Sequence, residues 1–227
     1  MVHNEEQSKK ERILNALSNF LIQNRILLLS LLVIFAVGLI GVMVYSEWKS
    51  AQINTSTEKV EDIEALFSKW QNAKKEEKTS KADEILNQTE KLISKYPNLY
   101  AAQRSLFIRG ELYYAQENWE KAAKEYGKLH SRFKSSYLGK VGLFNSAISF
   151  ERSGNDEKAL EQFISYQDVY TESPLTGRAI FSVGRLYEKI GEKDNALEYY
   201  NKLVDNYSYS SWTDIAQNRI IRLSVSE

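Results

Sequence analysis

The side chains most often recruited for catalysis are scarce in this sequence and poorly placed for it. Its 227 residues hold two histidines, His3 in a polar N-terminal stretch and His130 near the end of a periodic segment, and no cysteine. Without Cys there is no thiolate nucleophile, no thiolate metal site, no disulfide and no thiol to carry a lipid. Neither histidine has Asp or Glu at metal-ligand spacing, so no metal is expected. No glycine-rich phosphate loop appears. Glu125 and Glu161 fall on segments whose charges would face water. The expectation is a protein that is not an enzyme and needs no cofactor.

What the sequence does repeat is aromatic and small residues in a fixed step. Tyr96, Phe133, Tyr170 and Tyr207 stand 37 residues apart, as do Phe107, Phe144 and Phe181, and Ala122, Ala159 and Ala196. Self-similarity at 20 to 50 residues marks a repeat architecture in which one supersecondary unit recurs and stacks. Within each unit the spacing is constant. Gly110, Tyr113, Ala122 and Tyr126 are followed by Ala147, Phe150, Ala159 and Phe163, then by Gly184, Tyr187, Ala196 and Tyr200. Gly or Ala on one helix and Ala on the next let two axes approach closely, and a Tyr or Phe one turn further fills the wedge where they diverge.

This pattern resembles the tetratricopeptide repeat, a pair of antiparallel helices whose usual period is 34 residues. Here the period is 37, about one helical turn longer. The Tyr96-Pro97 joint is similar to those of bacterial envelope proteins with such repeats. The fold expected is all-α, a helical solenoid with three repeats over residues 97–207. Helices are predicted over 99–115, 119–133, 137–153, 156–170, 174–190 and 193–206. Asn118, Asn155 and the Ser173-Pro174 pair are the entry signals, and Gly154 and Gly191 the stops. A capping helix over 211–224 carries Trp212, Ile215, Ala216, Ile220 and Leu223, with Ser211 and Asp214 resembling a capping box. Residues 50–96 read as a helical stalk or a degenerate first repeat, broken by a polar stretch at 74–81. Terminal repeats are expected to be atypical.

Stacked units of this kind form a concave groove lined mainly by the first helix of each pair. The resemblance implies that Phe107 and Glu111, Phe144 and Ile148, and Phe181 and Arg185 sit along it. Arg104, Tyr114, Glu151, Arg178 and Glu188 would form a mixed rim. Co-chaperones with such repeats place Lys and Asn there to hold a peptide's terminal carboxylate. Here only Arg185 offers a cation, and Glu111 would repel a carboxylate. The phenylalanines have two readings, as an apolar lining for a docked segment or as packing between neighbouring repeats.

The N-terminal quarter is different. Residues 26–45 form an uncharged run of 20, which at 1.5 Å per residue is about 30 Å of helix, the thickness of a bilayer's hydrocarbon core. Tyr45 and Trp48 suit the interface. The exit Val44-Tyr45-Ser46-Glu47 is a poor cleavage site, so an uncleaved anchor is expected. In residues 1–25, Ile13, Leu14, Leu17, Phe20 and Leu21 share one helical face, read either as a helix on the membrane surface or as an extension of the span. Lys9, Lys10, Arg12 and Arg25 precede the span, whereas only Lys49 and Lys59 follow it closely. That bias places the N-terminus in the cytoplasm and the repeats outside. Lys+Arg and Asp+Glu both number 30, and this balance argues against a nucleic-acid partner.

One N-terminal span, a short tail and an outward-facing repeat array resemble the YfgM family of bacterial inner-membrane proteins. That resemblance implies a subunit ancillary to the Sec translocon, with the array in the periplasm. It would work there with a membrane-anchored chaperone on unfolded or envelope proteins. Two further readings fit the same residues: an adaptor in envelope assembly or division, and an organelle import receptor facing the cytosol.

Overall fold

A computed structural model describes the backbone of residues 2–225 and the side chains of residues 9–225. The side chain of His3 lies outside that range. Ten helices are found among the described residues, and the chain divides into two compact units, Met1–Asn54 and Thr55–Glu227.

The first unit holds α1 (Val2–Gln23) and the beginning of α2 (Arg25–Gln71). From residue 26 to residue 45 no side chain is buried. α2 is the one helix among the described residues long and apolar enough to cross a membrane. The apolar face of α1, Ile13, Leu14, Leu17, Phe20 and Leu21, is also exposed.

The second unit contains the end of α2, then α3 (Lys75–Lys95), α4 (Tyr100–Ala115), α5 (Trp119–Arg132), α6 (Tyr137–Arg152), α7 (Asp156–Val169), α8 (Thr176–Lys189), α9 (Lys193–Asn206) and α10 (Thr213–Val225). From α3 to α10 each helix packs on the next to make a stack of antiparallel pairs. The small residues act as the spacing requires. Ala122, Ala159 and Ala196 are wholly buried. A Cβ on Gly110 would lie 2.5 Å from the Tyr126 ring, and one on Gly184 2.6 Å from the Tyr200 ring.

The turns inside the pairs repeat in hydrogen-bonding detail. The N–H groups of Asn118, Asn155 and Glu192 each donate to a carbonyl five residues back, that of Tyr113, Phe150 or Tyr187, at 2.9 Å. This is a Schellman closure, which needs one residue in the left-handed region. Gly154 (φ 79°) and Gly191 (φ 84°) supply it in two turns, and Glu117 (φ 57°) in the other. Asn118 and Asn155 then cap α5 and α7 by accepting from the N–H of Lys121 and Lys158.

Two helix starts differ from expectation by more than one residue. α8 begins at Thr176 and α10 at Thr213, each two residues later than the sequence predicts. Pro174 therefore lies in the turn before α8, and Ser173 accepts from the N–H of Leu175 at 3.3 Å. In the turn before α10 it is Ser210, not Ser211, that accepts, from the N–H of Trp212 at 3.2 Å. The threonines explain the delay. The Thr176 hydroxyl donates to the Tyr170 carbonyl and the Thr213 hydroxyl to the Tyr207 carbonyl. Each side chain thus stands between the ending helix and the starting one and widens the turn. One repeat earlier the position is Gly139, whose missing Cβ leaves room for the Phe133 carbonyl, and α6 starts at once behind its Ser136 cap.

The expected break at 74–81 shrinks to residues 72–74. Glu76 and Glu77 favour the start of α3 electrostatically, and Glu77 pairs with Lys81 at 3.1 Å. Val60, Ile63 and Trp70 of α2 are buried with Ile85, Leu92 and Tyr96 against Ala101, Ile108 and Leu112 of α4. At the other end α10 covers the stack with Ala216, Ile220 and Leu223, joined by Trp212 from the turn before it, while Ile215 faces outward.

Candidate functional site

Helices α4, α6 and α8 carry one face whose positions recur every 37 residues. The Phe row splits in two. Phe144 is 2% exposed and Phe181 5%. Phe144 meets Phe163 and Tyr166 edge-on, both at 5.5 Å between ring centroids. Phe181 lies 5.6 Å from Tyr200 and 5.0 Å from Trp212. Phe107 is half-buried against Tyr126 at 5.8 Å. Packing inside the array, against the second helix of the same pair and on to the element that follows it, thus accounts for Phe144 and Phe181, and only Phe107 keeps part of its ring free. Counting back one step of 37 reaches Trp70, also buried. It extends the row into α2, and that same step would have found it in the sequence.

The charged positions are largely consumed inside the array. Arg104 pairs with Glu64 of α2 and lies 5.2 Å over the Phe107 ring. Arg178 lies over Phe144 at 5.1 Å and over Trp212 at 5.6 Å. Arg185, the cation expected to be available, is held by Glu151 in a two-pronged pair at 2.6 and 2.7 Å. Its pKa is raised, first by that hydrogen bond. Glu188 accepts from the Tyr200 hydroxyl at 2.9 Å, from Arg219 at 3.2 Å and from Arg222, which clasps α10 to α8.

Glu111 is the exception. It has no hydrogen bond or ion pair among the described residues, and burial raises its carboxyl pKa. The attraction of Arg104 opposes that rise and the repulsion of Glu64 adds to it. Glu111 lines an open pocket of about 370 Å³ with Phe67 and Gln71 of α2, Tyr114 and Ala115 of α4, Tyr126 of α5, and Asn145 and Ile148 of α6. Tyr114 is braced edge-on by Trp119 at 4.7 Å. Burial, then the Glu111 charge, push the Tyr126 hydroxyl pKa up, while a hydrogen bond with Asn145 lowers it. Three of the expected groove residues, Glu111, Tyr114 and Ile148, therefore meet in one hollow. Phe67, Gln71 and Asn145 complete it and have no signal in the repeat pattern.

One charged residue is not where the sequence places it. Glu125 is 5% exposed rather than solvated. It pairs with Arg109 at 3.0 Å and Lys128 at 2.7 Å, and Arg109 reaches on to Glu90 at 2.9 Å. This knot ties α3, α4 and α5 together on the side chains of one arginine. Glu161 is exposed as expected. His130 Nδ1 donates to the Gly139 carbonyl, 3.1 Å away, and burial holds its pKa below the ordinary histidine value. Among the described residues no three His, Asp or Glu side chains converge as metal ligands.

The family profile described as tetratricopeptide repeat matches residues 104–136 and 178–208. The two matches start two steps of 37 apart, so they share the register found above. Similar solved structures include the nearly identical TPR-like repeats of a candidate kinesin light chain from Podosopora anserina. That structure is 12% identical, covering 74% of this chain and 86% of that one, with a TM-score of 0.54. A variant of it with one substituted residue matches equally well over 85% of its length. The fold is a tetratricopeptide-type solenoid. At this identity the neighbours speak for the fold alone. No curated protein matches the chain.

Proposed function

We propose that this protein is a non-enzymatic, membrane-anchored scaffold that docks protein segments on the concave face of its tetratricopeptide array. The observation that carries this reading is the open pocket around Glu111, Tyr114 and Ile148, on the face such arrays use for partners. The exposed apolar stretch of residues 26–45 supports the anchor. The basic residues before it support a cytoplasmic N-terminus and an array in the periplasm of a bacterial inner membrane. In that setting the partners would be envelope proteins in transit, the Sec translocon and a membrane-anchored chaperone. A role as an assembly or division adaptor would use the same surface.

Two experiments test this. A photoreactive residue in place of Tyr114 should form protein adducts in native membranes, and one in place of Lys124, exposed on α5, should not form the same ones. Absence of adducts at Tyr114, or identical adducts at both sites, would remove the groove as the docking surface. A phosphatase fused after Glu227 should be active in a bacterial host; a fusion active only as a cytoplasmic reporter would reverse the orientation.

A further inference from the structure

We infer that the pocket between α2, α4 and α6 receives a cationic side chain, the Lys or Arg of a docked protein segment, with Glu111 as its counter-charge. This rests on the concave face being the docking surface, and it names the chemistry that surface selects.

The argument starts from the way charge is distributed along the groove. In the second and third repeats every charged groove position has an internal partner: Glu151 holds Arg185, Glu188 holds Arg219 and Arg222, and Arg178 lies on Phe144 and Trp212. In the first repeat Arg104 is taken by Glu64. Glu111 alone among these positions has no hydrogen bond or ion pair among the described residues. A carboxylate that is partly desolvated without a partner costs free energy, and an incoming opposite charge recovers it. The same cost pushes its carboxyl pKa up.

The lining suits the rest of such a side chain. Phe67, Tyr114, Ala115 and Ile148 offer apolar surface to an alkyl stem, which is how Lys and Arg bury their length while the charged end finds its partner. The rings of Tyr114 and Tyr126 favour a cation nearby. An acidic segment meets the opposite: Glu111, with the nearby Arg104 already paired by Glu64, and no free cation among the groove positions described above.

The chain has no cysteine, so a single introduced thiol reads the pocket's preference directly. In the full-length protein in detergent micelles, Gln71→Cys puts a thiol at the exposed rim. The probes are the symmetric disulfides of butyl thiols ending in an ammonium, a hydroxyl or a carboxylate. The Cys thiolate attacks one sulfur and releases the other as a free thiol. The exchange is run against a fixed excess of one common reduced thiol, and the mixed disulfide is read by intact mass. The expected result is an ammonium adduct favoured over the carboxylate by roughly tenfold, about the effect of one partly screened charge pair. Adding Glu111→Gln should abolish that preference, and Ser165→Cys, exposed on α7, should show none. Circular dichroism checks that each variant is folded. The protein arm uses the Tyr114 photocrosslinker: adducts should map to segments containing Lys or Arg and disappear with Glu111→Lys.

Equal retention of all three probes in the Gln71→Cys variant would overturn the cation assignment, even with protein adducts persisting at Tyr114. A preference for ammonium with no protein adduct at Tyr114 would overturn the docked segment as occupant and the docking reading with it. A preference unchanged by Glu111→Gln would overturn the role of Glu111.

Discussion

The same substitution, Gly to Ala, should have opposite effects at two helical glycines. At Gly127 in α5 the nearest atom to an added Cβ is the Ser146 Oγ, 3.8 Å away, an ordinary contact. There the gain in helix propensity, up to about 1 kcal/mol, should appear almost undiminished. At Gly110 in α4 the Cβ would lie 2.5, 2.7 and 2.8 Å from three ring carbons of Tyr126. Carbon atoms pack best at about 3.5–4.0 Å, so the ring must move by about 1 Å. Tyr126 is buried, and its hydroxyl is tied to Asn145, so the ring has nowhere to go without moving α5. Overpacking of this kind costs about 1–3 kcal/mol. Setting the propensity gain of up to about 1 kcal/mol against it leaves a net loss of about 0–2 kcal/mol. The two variants should therefore differ by about 1–3 kcal/mol. Urea unfolding of residues 50–227, which contain the compact unit Thr55–Glu227, measures both. If Gly110→Ala stabilised the protein as much as Gly127→Ala, the close approach of α4 and α5 would be wrong and the small-residue logic of the repeat with it.

Phe144→Ala should cost roughly 3–5 kcal/mol in the same assay, the range for a buried aromatic, because its ring is enclosed by Phe163, Tyr166 and Arg178; Phe107→Ala should cost clearly less. Glu111→Gln should be more stable than the parent at pH 7. The folded-state pKa of Glu111 is raised above 4.5, so its contribution to stability is full below that pH and lost as pH rises through the folded pKa; the advantage of the Gln variant should shrink toward pH 4.5, and urea midpoints at the two pH values check the sign. Glu117→Gly should stabilise by about 1 kcal/mol by relieving a left-handed residue, as Gly154 and Gly191 already do in the matching turns.

The repeat was legible in the sequence because its packing positions are local and periodic. Gly110, Ala122 and Tyr126 lie within 16 residues of one another, and the same arrangement comes round every 37. The turn closures at Gly154 and Gly191 were legible for the same reason. The ion pairs were not. Arg109 reaches Glu125 across 16 residues, Arg185 reaches Glu151 across 34, and Arg104 reaches Glu64 across 40. These separations follow no common step, since each depends on which long side chain the neighbouring helix presents. Counting charges by position therefore gave Arg185 a freedom it lacks and put Glu125 in water. The pocket was half legible: Glu111, Tyr114 and Ile148 follow the register, whereas Phe67 and Gln71 belong to a helix whose repeat pattern has decayed.

The middle repeat shows how closely the periodic positions constrain one another. The tetratricopeptide profile matches the first and third repeats and passes over the second. In the first and third, glycine faces a tyrosine: Gly110 with Tyr126, Gly184 with Tyr200. In the second, Ala147 shares a buried cluster with Phe163. The hydroxyl supplies the reason. Tyr126 is anchored to Asn145 and Tyr200 donates to Glu188 at 2.9 Å, so each ring is held over the facing helix and excludes a Cβ beneath it. A phenylalanine has no such tether, can shift along the groove between helices, and leaves room for one methyl. On this argument Tyr126→Phe should release the ring and make Gly110→Ala tolerable. The pair of changes would then be less destabilising than the sum of the two alone, and a double-mutant cycle on residues 50–227 reads that coupling directly. Additive losses would mean that the tether does not hold the ring, and the pairing of Gly with Tyr and Ala with Phe would need another cause.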